Sequence, residues 1–143
     1  MAPSHVLVPL DGSPLSEAAL SHALEVFDCR VTVLNVITPI DASMSEGGLL
    51  GADGDREREA RDHADAVIEA AQQQASDADR RVETAVADGD PAETIVAYAD
   101  EHDVGQIVMG GHGGDASDLT QRLLGTVATT VVREAPVSVT VVR

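Results

Sequence analysis

Between Gln106 and Val132 the chain combines residue types that can hold an anion. Ile107, Val108 and Met109 form a short apolar run, and four glycines follow within five residues: Gly110, Gly111, Gly113 and Gly114. Gly125-Thr126 then opens a stretch of helical character. A strand, a glycine-rich loop and a helix start make a cradle suited to phosphate. Glycine lets the backbone approach the ligand, and the N–H groups of a helix's first turn point at it. The same composition also makes ordinary turns, so this stretch alone leaves both readings open.

Known phosphate loops narrow the choice. A Walker-type loop needs Gly-Lys-[Ser/Thr]; all nine basic residues here are Arg, which excludes it. Gly111-His-Gly-Gly-Asp-Ala116 fits G-x-G-x-x-[G/A] in form, but the dinucleotide fingerprint follows a first strand and needs more fold after it than one helix and one strand. A response-regulator receiver would need a Lys at its acidic pocket. His112, Asp115 and Asp118 lie close together, as metal ligands can, although a polar loop in an acidic protein is the favoured account. The single cysteine, Cys29, excludes an internal disulfide and a cysteine-built zinc site, and no partner for it as a nucleophile is evident.

The elements that must position this loop alternate in type. His5 to Leu10 is an apolar run with β-branched residues and reads as a strand. Asp11-Gly12-Ser13-Pro14 follows, with Ser13 as a helix cap and Pro14 at the first helical position. Leu15, Ala18, Ala19, Ala23 and Val26 then recur at helical spacing. Val31 to Ile37 is a second strand. Ile40 to Gly54 has no period and reads as a mobile loop. Asp55 to Ser76 reads as a charged helix with Ala60, Ala64, Val67, Ile68, Ala71 and Ala75 on one face. Val82 to Ala87 is a third strand, and Asp90-Pro91-Ala92-Glu93 starts a helix carrying Ile95, Val96 and Ala99. Gln106 to Met109, a helix from about Thr126 to Glu134, and Val137 to Val142 complete the series. Such alternation predicts an α/β fold: an open, doubly wound, five-stranded parallel sheet with helices on both faces and right-handed crossovers. Ligands bind such sheets at the carboxyl ends of strands, where the order reverses. Asp11 and the glycine loop both lie at carboxyl ends.

Three places together resemble a known family: Val8-Pro9-Leu10-Asp11-Gly12-Ser13; Leu34-Asn35-Val36; and Val108-Met109-Gly110-Gly111-His112-Gly113 with Gly125-Thr126 and the closing Ala135 to Val142. Over nearly its full length, residues 1–143, the chain looks like a single-domain universal stress protein. The resemblance implies an adenine-nucleotide alpha-hydrolase-like sheet of strand order 3-2-1-4-5. ATP-binding members carry Gly-x2-Gly-x9-Gly-[Ser/Thr] in this region. Here Gly110 and Gly113 keep the first spacing, but eleven residues rather than nine separate Gly113 from Gly125. That is a two-residue insertion, placed within Gly114 to Asp118.

The resemblance assigns roles. Asp11 accepts hydrogen bonds from ribose hydroxyls, Val36 meets adenine through its backbone, and Pro9 and Met109 line the base pocket. Backbone N–H groups at Gly110, Gly113, Gly125, Thr126 and Val127 hold phosphates, and the Thr126 hydroxyl adds a donor. Asp11 can equally be a turn residue at the head of the Pro14 helix. Asp115 and Asp118 repel a triphosphate unless Mg²⁺ bridges them. The implied function is an ATP-binding stress-response or signalling module, at most a slow ATP hydrolase. The alternative is a non-nucleotide interaction protein of the same fold. A phosphotransfer enzyme is disfavoured because no Lys or catalytic base stands near the loop. The Val137 to Val142 strand has no internal charge or proline to guard an edge, and with the resemblance it predicts a homodimer.

Charge bounds the rest. Asp and Glu number 25 against nine Arg, for a net charge of −16. A surface so acidic repels nucleic acid and anionic lipid. With 43% apolar residues and clear periodicity the chain is folded rather than disordered, and the absence of Lys favours adaptation to high salt. No apolar run approaches the ~20 residues of a membrane span, and Met1 to Ser4 lacks the features of a secretory leader, so the expected location is the cytoplasm. Like charges repel over a Debye length of about 30 Å at 0.01 M salt but only about 3 Å at 1 M. The melting temperature is therefore expected to fall steeply between molar KCl and dilute buffer, as read by circular dichroism. An unchanged value would refute the high-salt reading.

Overall fold

The structure is a computed structural model that describes residues 2–38, 52–111 and 125–143. Its elements in chain order are β1 (His5–Pro9), α1 (Pro14–Val26), β2 (Arg30–Ile37), α2 (Ala52–Asp77), β3 (Glu83–Asp88), α3 (Pro91–Glu101), β4 (Gln106–Gly110), α4 (Thr126–Glu134) and β5 (Ser138–Val142). The five strands form one sheet in the order β3-β2-β1-β4-β5, and every pairing is parallel. The expected α/β doubly wound architecture and strand order are both present. The charged helix starts at Ala52 rather than Asp55; the remainder of the expected loop, residues 40–51, lies outside the described residues.

Alternation along each strand splits the core into two layers. Val6 and Val8 of β1, Val31 and Val33 of β2 and Val108 of β4 face α1 and α2, where Leu20, Ala23, Val67 and Ala71 pack on them. Leu7, Leu34, Ile107 and Met109 face the other way, against Ile95 and Ala99 of α3 and Ala128 and Val131 of α4. Both faces of the central strands are thus covered, which is why they read as largely apolar runs.

The α1 stripe differs from its expectation. The buried positions are Ser16, Ala19, Leu20, Ala23 and Leu24, while Val26 is 56% exposed. Ser16 misleads because serine reads as polar. Its hydroxyl donates to the Ser13 carbonyl at 2.9 Å, so it is buried without an unsatisfied group. The caps behave as expected. The Ser13 hydroxyl accepts from the Ser16 amide at 3.3 Å, and the Asp90 carboxylate accepts from the Glu93 amide at 3.0 Å.

At the amino end of the sheet, His5 is buried among polar partners. Its Nδ1 lies 3.2 Å from the His102 carbonyl and its Nε2 2.8 Å from the Thr32 hydroxyl. The His102 ring stacks on Tyr98, with centroids 3.8 Å apart. Burial lowers the His5 pKa from its ordinary 6.5, against the opposing pull of the His102 carbonyl. Beside it, the Arg30 guanidinium hydrogen-bonded to Glu83 holds that carboxyl below its usual range. For His5 the unfolded chain binds the proton more readily, so its contribution to stability is present above the unfolded pKa and is lost as pH falls through the folded one. Between pH 7 and pH 5 the wild-type melting temperature should therefore drop relative to that of His5→Gln. Parallel curves for the two proteins would show that His5 carries no such linkage.

Candidate functional site

Strand β1 lies between β2 and β4, so the chain leaves the sheet in opposite directions on either side of its carboxyl end. A cleft of about 390 Å³ opens there, within the range of roughly 300–1,000 Å³ common to small-molecule sites. One wall is Pro9, Leu10, Leu34 and Val36 from the ends of β1 and β2. The opposite wall is Met109 and Gly110 from β4, Gly111 just after it, and Gly125, Thr126, Val127 and Ala128 from the start of α4. Pro91 and Ile95 of α3 close one side, and Asp11, Ser13, Ser16, Asn35, Thr38 and His63 supply polar groups.

Of the site residues predicted from sequence, Pro9, Asp11, Val36, Met109, Gly110, Gly125, Thr126 and Val127 all line this cleft. Gly113 lies outside the described residues, as do His112, Asp115, Asp118 and Arg122. Among the described residues no group of three or more His, Cys, Asp or Glu could hold a metal ion, and no helix is long and apolar enough to cross a membrane.

The start of α4 differs from the starts of α1 and α3. Its cap is Gly125, which offers no side-chain acceptor to the first-turn amides. Helix N-termini carry partial positive charge and N–H groups that need partners, and this one opens on the cleft. The Gly125 amide donates to the Gly111 carbonyl. Gly125 therefore shapes the wall rather than supplying a donor, and Thr126, Val127 and Ala128 are left as the first-turn amides at the cleft.

Gly110 also has a different reason from the one its sequence context suggests. A Cβ there would lie 3.0 Å from the carbonyl carbon and Cβ of Leu15 and 3.1 Å from the Leu15 carbonyl oxygen. The first turn of α1 crosses over the end of β4, and any side chain here would press on the Leu15 backbone. Helix packing therefore also constrains this position, which lines the cleft.

Asp11 sits in a turn held from several sides. The Leu10 amide donates to the Leu34 carbonyl at 2.8 Å, and the Asn35 side-chain amide donates to the Leu10 carbonyl at 2.8 Å. Asp11 Oδ1 accepts from the Ser13 amide at 2.9 Å. Gly12 follows with φ of 86°, a left-handed conformation that favours glycine. The turn role foreseen for Asp11 is therefore real, and it uses one carboxylate oxygen. The residue is exposed and lines the cleft.

Sequence reasoning missed Asn35 and His63 as site residues. Asn35 carried a signal: a side-chain amide inside an apolar strand must find a partner when buried, and the chain offers the Leu10 carbonyl. His63 carried none, since nothing in its spacing separates it from the solvated face of α2. Asp11 and His63 are the ionisable side chains of the described lining.

Residues 3–143 match the model of the universal stress protein family. A universal stress protein from Methanocaldococcus jannaschii is 30% identical over 144 residues, covering 96% of this chain and 81% of that one. The structure of universal stress protein UspA from Lactobacillus plantarum is similar with a TM-score of 0.83 at 24% identity, over 100% of this chain and 99% of that one. A universal stress protein solved in complex with cAMP is similar with a TM-score of 0.74 at 24% identity, again over 100% and 99% of the two chains.

Proposed function

The chain belongs to the universal stress protein family, and from that premise we propose that its cleft binds ATP and that the protein is a stress-response or signalling module rather than a dedicated enzyme. The observation that carries this reading is the α4 N-terminus, capped by glycine and opening on an apolar cleft. Phosphates lie against the amides of Thr126, Val127 and Ala128, with the Thr126 hydroxyl as a further donor. Adenine sits between Pro9 and Met109 and meets the Val36 backbone. Asp11 accepts from the ribose hydroxyls through the carboxylate oxygen that the turn does not use. That a protein of the same fold was solved with cAMP supports an adenine nucleotide as the ligand class. The glycine loop, with Gly113, contributes further backbone donors, and Mg²⁺ accompanies the nucleotide if Asp115 and Asp118 approach the phosphates. The expected setting is a single-domain cytoplasmic protein that binds neither nucleic acid nor membrane.

Calorimetry in molar KCl tests this. Wild-type protein should release heat with ATP, and Asp11→Ala should lose more affinity for ATP than for 2′,3′-dideoxy-ATP. One charged hydrogen bond supports a difference of about 1.5–3 kcal/mol. No heat with wild-type protein and no nucleotide in the ligands released on denaturation would overturn ATP binding.

A second reading, a homodimer through Val137 to Val142, is favoured by the place of β5 at the sheet edge with β4 as its one neighbour. The Gly111 amide donates to the Val142 carbonyl at 2.8 Å, so Val142, Thr140 and Ser138 direct their backbone groups at β4. Alternation then turns those of Val139 and Val141 outward, where a second copy can pair antiparallel about a two-fold axis. Val139→Pro removes an outward donor and spares the β4 ladder. Sedimentation in high salt should show a wild-type dimer and a Val139→Pro monomer or aggregate; a wild-type monomer at micromolar concentration would overturn the dimer.

A further inference from the structure

His63 lies on α2, more than fifty residues from Asp11 in sequence, yet its Nε2 is 3.2 Å from the Asp11 carbonyl oxygen. A carbonyl only accepts, so Nε2 carries the proton and donates. A second contact is independent of that bond. A Cβ built on Gly12 would lie 3.3 Å from His63 Cε1 and 3.2 Å from Val67 Cγ2. The imidazole and the valine thus cover the left-handed residue that follows Asp11, and α2 clamps the turn from outside the sheet. The other anchors of the turn are the Leu34 carbonyl and the Asn35 side-chain amide of β2 and, within the turn, the Ser13 amide. His63 is a hydrogen-bonding link from α2, and it grips a residue that lines the cleft.

We propose that His63 is a positioning residue for Asp11, holding its carboxylate where ribose hydroxyls reach it and so setting the selectivity of the cleft for ribonucleotides over their dideoxy forms. This rests on the reading of the cleft as a nucleotide site. His63 also lines the cleft, but its positioning role acts through the backbone of the Asp11–Gly12 turn. Loss of the Nε2 donor frees the turn. The Ser13 amide then loses its hold on Asp11 Oδ1, and the carboxylate samples directions that miss the ribose.

Two measurements on the full chain in molar KCl test this with His63→Ala, which removes the donor, and His63→Gln, whose side-chain amide replaces it. In nucleotide-free protein, hydrogen exchange at the Ser13 amide should quicken about fivefold in His63→Ala, the ratio that one ordinary hydrogen bond supports, and return toward wild type in His63→Gln. By calorimetry the preference for ATP over 2′,3′-dideoxy-ATP should shrink by a similar factor in His63→Ala, with dideoxy-ATP affinity retained, and recover in His63→Gln. Unchanged Ser13 exchange in His63→Ala overturns the proposal. So does an equal loss of affinity for both nucleotides, which would put His63 at the phosphates or the base. Failure of the nucleotide reading itself appears as wild-type protein that binds neither nucleotide, and the exchange measurement still decides whether His63 holds Asp11.

Discussion

The central position of β1 is the constraint on which the rest depends. Its residues Val6, Leu7 and Val8 are fully buried, with β2 on one side and β4 on the other. The chain must leave β1 toward α1 on one face and reach β4 from α3 on the opposite face. The two directions diverge at one end of the sheet, and a crevice there is the geometric consequence. The cleft is not an addition to the fold. It is what remains where two oppositely directed crossovers part, and its floor is made from the ends of the same strands that form the core.

Much of this was legible in the chain. Largely apolar runs at residues 5–10, 31–37 and 106–109 meant strands covered on both faces, and Ser13-Pro14 and Asp90-Pro91 marked two helix starts that the structure reproduces. Local chemistry fixed those signals. What escaped notice was one polar residue that can be buried and contacts that only the fold creates. The α1 stripe was misjudged because Ser16 satisfies its own hydroxyl locally and can be buried. Gly110 was read from its place in the glycine loop; that Leu15 packs over it is a contact only the fold creates. His63 reaches Asp11 across a helix and a turn, and no periodicity within α2 encodes that meeting.

The handling of charge ties fold to function. With a net charge of −16 and no Lys, the described lining of the cleft holds no Arg, so little side-chain charge is present to attract an anion. Backbone amides at a helix start do this without a cation. Such donors act at contact distance, where salt screens little, whereas exposed ion pairs weaken as salt rises. The ion pairs Arg30–Glu83 and Arg61–Asp88 are both more than half exposed and add little to stability. A cleft that offers backbone dipoles and a single carboxylate suits a chain whose net charge is so strongly negative.

The central claim is that phosphate meets the first turn of α4. Amide chemical shifts of ¹⁵N-labelled protein titrated with ATP in molar KCl test it most directly. The account predicts that the Thr126, Val127 and Ala128 amides move most, together with that of Ser13 beside Asp11. A titration that leaves the α4 amides in place while others move, or that moves none, would contradict it.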